Sequence, residues 1–410
     1  MLKKAILVWL SIFLMFSSLS LPVVNAATAD NTEYDSVTVM KIMNKTSVTE
    51  LQAKGAVLID CNTGSILQEK NGNEKLPIAS VTKVMSMLLI MEAIDSGKLS
   101  FDTKVTISDN SYRMGGTQVW LEPREVFTVH ELLQAVSIRS ANDATVALAE
   151  AVAGSEDAFV ALMNERAKEL GMKNTNFLDS TGLTDIGHYS SAYDVALMSR
   201  ELLLNHPGIT KYTTPWQAKF RENTPGKKPV LLDNTNKLVK FYEGAVGLKT
   251  GYTAVSGHCL SASAVRNGQQ LIAVVLGEPD SNTRFAEARK LLDYGFANFE
   301  TTLVNNKGEE VQQVQVKKGL QQYTNAVYKQ DVKLLLKKGE KGKVERIINL
   351  ENNLSAPVSQ GQKIGEIIYM ISGNEVGNAE LVASNSVQKA SFIKLFLLMM
   401  REWFVLGRAI

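Results

Sequence analysis

The chain has 410 residues, 45% of them hydrophobic and 21% charged, which is the composition of a globular protein with room for two or three domains. With Lys3 and Lys4 set aside, 42 basic residues face 42 acidic ones, so no basic surplus is left to hold nucleic acid. Two cysteines, Cys61 and Cys259, exclude a disulfide-built scaffold and are expected to be free thiols.

Residues 1–26 read as a secretory signal peptide. Lys3-Lys4 form its charged start, Ala5 to Phe16 its apolar run, and Val24-Asn25-Ala26 a small-residue cleavage site. The mature chain is then expected to work outside the cytoplasm. Residues 27–44 read as a polar, flexible segment. Ala56–Asp60 and Ser65–Glu69 flank an Asn/Gly turn and predict a hairpin. Pro77-Ile78-Ala79-Ser80-Val81-Thr82-Lys83 leads into the apolar run Val84–Met91, which predicts a helix over 79–97 buried on all sides. On that helix Ser80 and Lys83 share a face, and the N-terminal amides can meet a developing anion.

Residues 114–117 form a turn, and Thr128 with Glu131 makes a capping box for a helix over 128–139. Ser140-Ala141-Asn142-Asp143 interrupts it, and Asp143 is placed to cap the next helix. Helices follow at 144–153 and 156–170, and Ser191–Asp194 opens a fourth with a second capping box. Residues 208–245 are loop-rich. Strands are expected at 244–250, 257–265 and 270–276, the last two joined by the hairpin turn Arg266-Asn267-Gly268. An amphipathic helix follows at 283–299. Strands at both ends with helices between them predict one α+β domain over 45–301, an antiparallel sheet built from the two chain ends with an inserted helical lobe.

After residue 302 the pattern alternates, as in Gln313–Val316, Val332–Leu336 and Lys363–Tyr369, which predicts a small all-β domain over 302–383. Residues 384–410 read as an amphipathic helix. Lys394, Arg401 and Arg408 form a basic stripe beside Phe392, Phe396, Trp403 and Phe404. Charges at 401 and 402 argue against a spanning helix. A helix lying on anionic lipid fits the pattern, against docking on the protein itself or on a partner subunit.

Three short motifs fall in order: Ser80-Val81-Thr82-Lys83 at a helix start, Ser140-Ala141-Asn142 at a break between helices, and Lys249-Thr250-Gly251 on a strand. Each alone is weak; together they define an acylation centre. A serine hydroxyl needs a base, and Lys83 can serve when it is neutral. Burial and the charge of Lys249 are both expected to lower its pKa. Ser140 can relay a proton to the leaving amine, and Asn142 can hold a substrate amide. The N–H groups of Ser80 and Tyr252 can form an oxyanion hole, each donor being worth about 2.7–4 kcal/mol. Lys249 and Thr250 suit a terminal carboxylate. His130, His188, His206 and His258 lack metal-ligand spacing, and no cofactor is implied.

With these motifs, residues 45–383 resemble a low-molecular-weight penicillin-binding protein of the serine D-alanyl-D-alanine carboxypeptidase family. Met114–Gln118, Ser140–Ala144, Gly187–Ala192 and Thr283–Glu287 carry the resemblance further. It implies a penicillin-binding, serine β-lactamase-like transpeptidase fold, a β-rich second domain and a C-terminal anchor on the outer face of the membrane. It implies that Thr250, Gly251, Tyr252 and Arg284 bind substrate, Arg284 at its terminal carboxylate. It also implies partners: peptidoglycan stem peptides ending in D-Ala-D-Ala, and β-lactams, with Ser80 as nucleophile. A departure is Arg124, where the family usually has glycine. The alternatives are a serine β-lactamase and a non-catalytic wall-binding protein on the same fold. Against the first, the position that would hold a class A lactamase's water-activating glutamate is Asn176.

Overall fold

The computed structural model describes residues 51–397 and 400, apart from 185 and 223–226. The signal peptide, the segment 27–44 and positions 401–410 of the tail lie outside the described residues.

Strands β1 (Gly55–Asp60) and β2 (Ile66–Lys70) form the expected hairpin. Strands β3 (Ala245–Thr253), β4 (Gly257–Arg266) and β5 (Gln269–Glu278) come from the far end of the domain. All pair antiparallel in the order β2-β1-β5-β4-β3. The two chain ends meet where Gly55 faces Leu276. Asn267 and Gly268 turn β4 into β5 with φ of 51° and 78°, as the two-residue hairpin requires.

Side chains alternate across this sheet, and both faces are buried. Val57, Ile59, Ile272 and Val274 join the core under the helical lobe. Ala56, Leu58, Leu271 and Val275 face the opposite way, onto Ala288, Leu291 and Leu292. Those last three belong to the helix Ser281–Asn298. This is why β1 and β5 read as unbroken apolar runs rather than as alternating ones.

The helix predicted over 79–97 begins differently. Ala79–Thr82 is a 3-10 turn, and the α-helix proper, α1, is Lys83–Asp95. Ala79 holds φ +45°, so the chain enters α1 through a strained step. Helix α2 (Val129–Gln134) carries the capping box of Thr128 and Glu131. A single π turn, Ala135–Arg139, then ends in Ser140 at φ +66°. Helices α3 (Asn142–Ala153), α4 (Glu156–Glu169) and α5 (Ala192–Asn205) complete the lobe. At α5 only half of the predicted box forms. Ser191 accepts from the Asp194 amide, but the Asp194 carboxylate accepts from Asn174 and Thr175.

Seven strands from Phe299 to Ala383 form the second domain, as a pair (Phe299–Asn305 with Val332–Lys337) and a five-stranded antiparallel sheet. Residues 384–390, read from sequence as part of the tail, instead finish this domain. Val387 bridges Val358 and Lys389 bridges Gly319, with Val387 and Ala390 buried. Apolar Val387 and Ala390 close the end of the sheet, a contact with no helical period to reveal it. A helix begins at Phe392, and its first residues Phe392, Ile393 and Leu397 are exposed.

One polar pair lies deep behind the sheet. Glu278 is buried with neither carboxyl oxygen satisfied by a donor, and it faces the Glu287 carboxylate, which accepts from the amides of Gln52 and Ala53. Burial and a neighbouring carboxylate both disfavour the charged form of Glu278. Burial, then Glu287, pushes the Glu278 carboxyl up to about 9, with Asp280 adding to it and Lys70 opposing. A raised carboxyl stabilises the fold while protonated, so this contribution fades as pH rises from the ordinary glutamate range towards 9. Glu278→Gln, whose amide can donate to Glu287 at any pH, is expected to melt progressively higher than wild type between pH 6 and 9. A constant gap in melting temperature across that range would refute the raised Glu278 pKa.

Candidate active site

The site sits at the seam between the lobe and β3. Lys83 is completely buried, and its Nζ lies 2.9 Å from Ser80 Oγ, 2.6 Å from Asn142 Oδ1 and 2.8 Å from the Thr181 carbonyl. The last two partners can only accept. They take the two N–H groups of a neutral amine and leave its lone pair towards the Ser80 hydroxyl. Burial lowers the Lys83 pKa to about 7, against the pull of Asp179 and Asp143. The repulsion between the buried Lys83 and Lys249 is mutual and disfavours charge on both. Burial first, then Lys83 and Arg284, holds Lys249 well below its ordinary value. A cavity that encloses two amines resists holding both charges until an anion arrives.

Ser140 is buried, and its left-handed backbone turns the chain so that Asn142 begins α3 facing Lys83. Its hydroxyl is not one of the three groups on Lys83 Nζ. Asn142 is fixed from its other side, Nδ2 donating to the Gly115 carbonyl at 2.8 Å and its amide to the Thr117 carbonyl at 2.7 Å.

Gly251 packs directly on the nucleophile's turn. A Cβ there would stand 2.6 Å from the Ile78 carbonyl oxygen and 3.1 Å from Ser80 N, so glycine is what lets β3 approach. Tyr252 follows with its ring exposed and stacked on His258. Lys249 is fully buried and donates to the Thr250 carbonyl; Thr250 Oγ1 bonds Thr235 Oγ1 at 2.8 Å. Arg284 is not a helix-surface residue. It is buried and donates through Nη1 to the carbonyls of Gly251 and Cys259, while its Nε has no partner. Burial lowers its pKa to about 10.

Sequence reasoning missed three contributors. Thr181 supplies a carbonyl to Lys83, and Thr235 a hydroxyl to Thr250. Asp179 organises the loop beneath them, accepting from the amides of Thr181, Gly182 and Thr184. Burial opposes its charge, but hydrogen bonds from Thr184 and Thr181 and the nearby His188 hold the carboxyl well below its ordinary range. Asp-Ser-Thr-Gly at 179–182 was a readable turn signature. Gly182, at φ +77°, touches the Ala79 carbonyl, where a Cβ would come within 1.9 Å. His188 bonds Thr82 Oγ1 through Nε2. Cys61 and Cys259 are free and buried. Among the described residues no cluster of three metal-ligating side chains occurs.

An antiparallel sheet with an inserted helical lobe, and a serine–lysine pair at their seam, defines a class of serine acyl-transfer hydrolases. A model of the D-alanyl-D-alanine carboxypeptidase family matches residues 42–280, and one of the penicillin-binding protein 5 C-terminal domain matches 299–389. The chain is 44% identical over 360 residues to D-alanyl-D-alanine carboxypeptidase DacF of Bacillus subtilis, covering 88% of this chain and 92% of that one. It is 32% identical over 372 residues to DacA of Escherichia coli, covering 87% and 90%. Penicillin-binding protein 5 of Haemophilus influenzae has the same fold, with a TM-score of 0.76 at 32% identity over 84% of this chain and 99% of that one. The chain belongs to the serine-type D-alanyl-D-alanine carboxypeptidase family of penicillin-binding, cell-wall enzymes.

Proposed function

We propose that this enzyme removes the terminal D-Ala from peptidoglycan stem pentapeptides through an acyl-enzyme on Ser80. The observation that carries the reading is the partner set of Lys83 Nζ, two acceptors and one serine hydroxyl in a fully buried site. Lys83 takes the hydroxyl proton as Ser80 Oγ bonds to the carbonyl carbon of the penultimate D-Ala. The oxyanion forms beside the backbone N–H groups of Ser80 and Tyr252. The C–N bond breaks, and a proton relayed through Ser140 reaches the leaving amine. Water then hydrolyses the ester. Asn142 holds the substrate amide, and Lys249, Thr250, Gly251 and Arg284 form the side that receives the terminal carboxylate, with Thr235.

A β-lactam imitates the D-Ala-D-Ala end and acylates Ser80. Penicillin is expected to add one adduct to Ser80, lasting many minutes by mass spectrometry, while wild type releases D-Ala from a diacylated Lys-D-Ala-D-Ala tripeptide. Rapid multiple turnover of penicillin would favour the β-lactamase reading, and no D-Ala release would favour a binding protein. Against a lactamase, Asn176 spends its side chain on the Gly187 carbonyl and its backbone on Tyr189.

The reading places the enzyme on the outer face of the cytoplasmic membrane. There the second domain lifts the site away from a tail helix that lies on the lipid. The exposed Phe392, Ile393 and Leu397 support that part. Among the described residues no helix is long and apolar enough to cross a membrane.

A further inference from the structure

Trp120 is 72% exposed, yet its backbone is held more firmly than that of an ordinary loop residue. The Asp143 carboxylate, fully buried, accepts from the amides of Val119 and Leu121. Asp143 was expected to cap α3, but the helix already begins at Asn142 with Ala141 at its N-cap and no side-chain cap, and the Asp143 carboxylate clamps this segment instead. Arg221, also buried, donates to the Val119 and Trp120 carbonyls and is neutralised by Glu125 at 2.7 Å. Two buried charged groups thus converge on three residues without touching Ser80 or Lys83. Trp120 itself sits at φ +58°, and Arg221 at φ +63°. A bulky side chain in the left-handed region is strained, and such strain persists where the surroundings over-determine it.

The clamped segment is joined to the site. Thr117, three residues earlier, accepts from the Asn142 amide, and Asp143 follows Asn142 in the chain. The segment that carries the exposed indole is therefore tied to the Asn142 side of the site. Its neighbours Thr117 and Glu122 are exposed and polar. An exposed indole on a firmly held backbone, an apolar face with a polar N–H, suits an amphipathic ligand with one apolar face and a hydroxyl edge better than a wholly apolar one. The three stem residues ahead of the penultimate D-Ala span roughly 10 Å when extended, which carries their sugar end from Ser80 towards the rim.

We propose that Trp120 is a specificity-determining residue that stacks on the saccharide from which the stem peptide hangs. This rests on the carboxypeptidase reading above. The test compares a disaccharide pentapeptide with the free pentapeptide as substrates for wild type, Trp120→Ala and Trp120→Phe. Wild type is expected to favour the sugar-bearing substrate, chiefly through KM. Trp120→Ala is expected to cut the ratio of kcat/KM values by roughly three- to tenfold, and Trp120→Phe to restore most of it. A ratio unchanged by Trp120→Ala overturns the proposal, as does a wild type with no preference for the sugar. A wild type that cleaves neither substrate counts against the carboxypeptidase reading instead. Trp120 is then judged by equilibrium binding of the same two compounds to Ser80→Ala and to Ser80→Ala carrying Trp120→Ala, where loss of the sugar's advantage supports it and retention overturns it.

Discussion

Ser80→Ala is expected to abolish D-Ala release and covalent penicillin labelling, a loss of at least about a thousandfold, because the residues of an acylation centre act as a unit. The fold should survive. Ser80 is only half-buried, and Lys83 keeps Asn142 and the Thr181 carbonyl when the hydroxyl goes. Its melting temperature should stay within about 2 °C of wild type, as for a small change without a new cavity. Residual release above roughly a tenth of wild type would remove Ser80 from the nucleophile's role, since the oxyanion donors alone leave far less.

The second large effect is on pH dependence. In the proposed mechanism Lys83 is the base and must be neutral to act, and burial lowers its pKa to about 7. The sign follows directly: below that pH the amine is protonated and the hydroxyl has no acceptor, so acylation falls as pH falls. The second-order rate of penicillin acylation, which reports the free enzyme, should rise through about pH 7 and then level off. Lys83→Ala should reduce that rate at least about a thousandfold and remove the inflection. An acylation rate flat from pH 5 to 9 in wild type would mean that another group takes the proton.

Much of this was legible because it is local. Ser80 and Lys83 are three residues apart, so a helix start alone brings them together. The Thr128–Glu131 box and the Asn267-Gly268 turn close within a few residues, and both formed as read. The α5 box failed by half because Asp194 found distant partners in Asn174 and Thr175. A side chain with two options follows the tertiary contact, which local pattern does not encode.

The sequence by itself determined the kinds of chemistry present: serine hydroxyls, two amines and a carboxamide in three ordered motifs, on strands and helices whose apolar period can be counted. Tertiary structure alone decided how those groups act. Lys83 meets Asn142 across 59 residues and Thr181 across 98, and only that enclosure excludes the water that would otherwise keep the amine charged. Arg284 became a buried donor facing Gly251 rather than a surface charge, and Asp143 and Arg221, 78 positions apart by number, met on one three-residue segment. Burial and hydrogen-bond satisfaction are properties of the packed interior, so no window of sequence contains them.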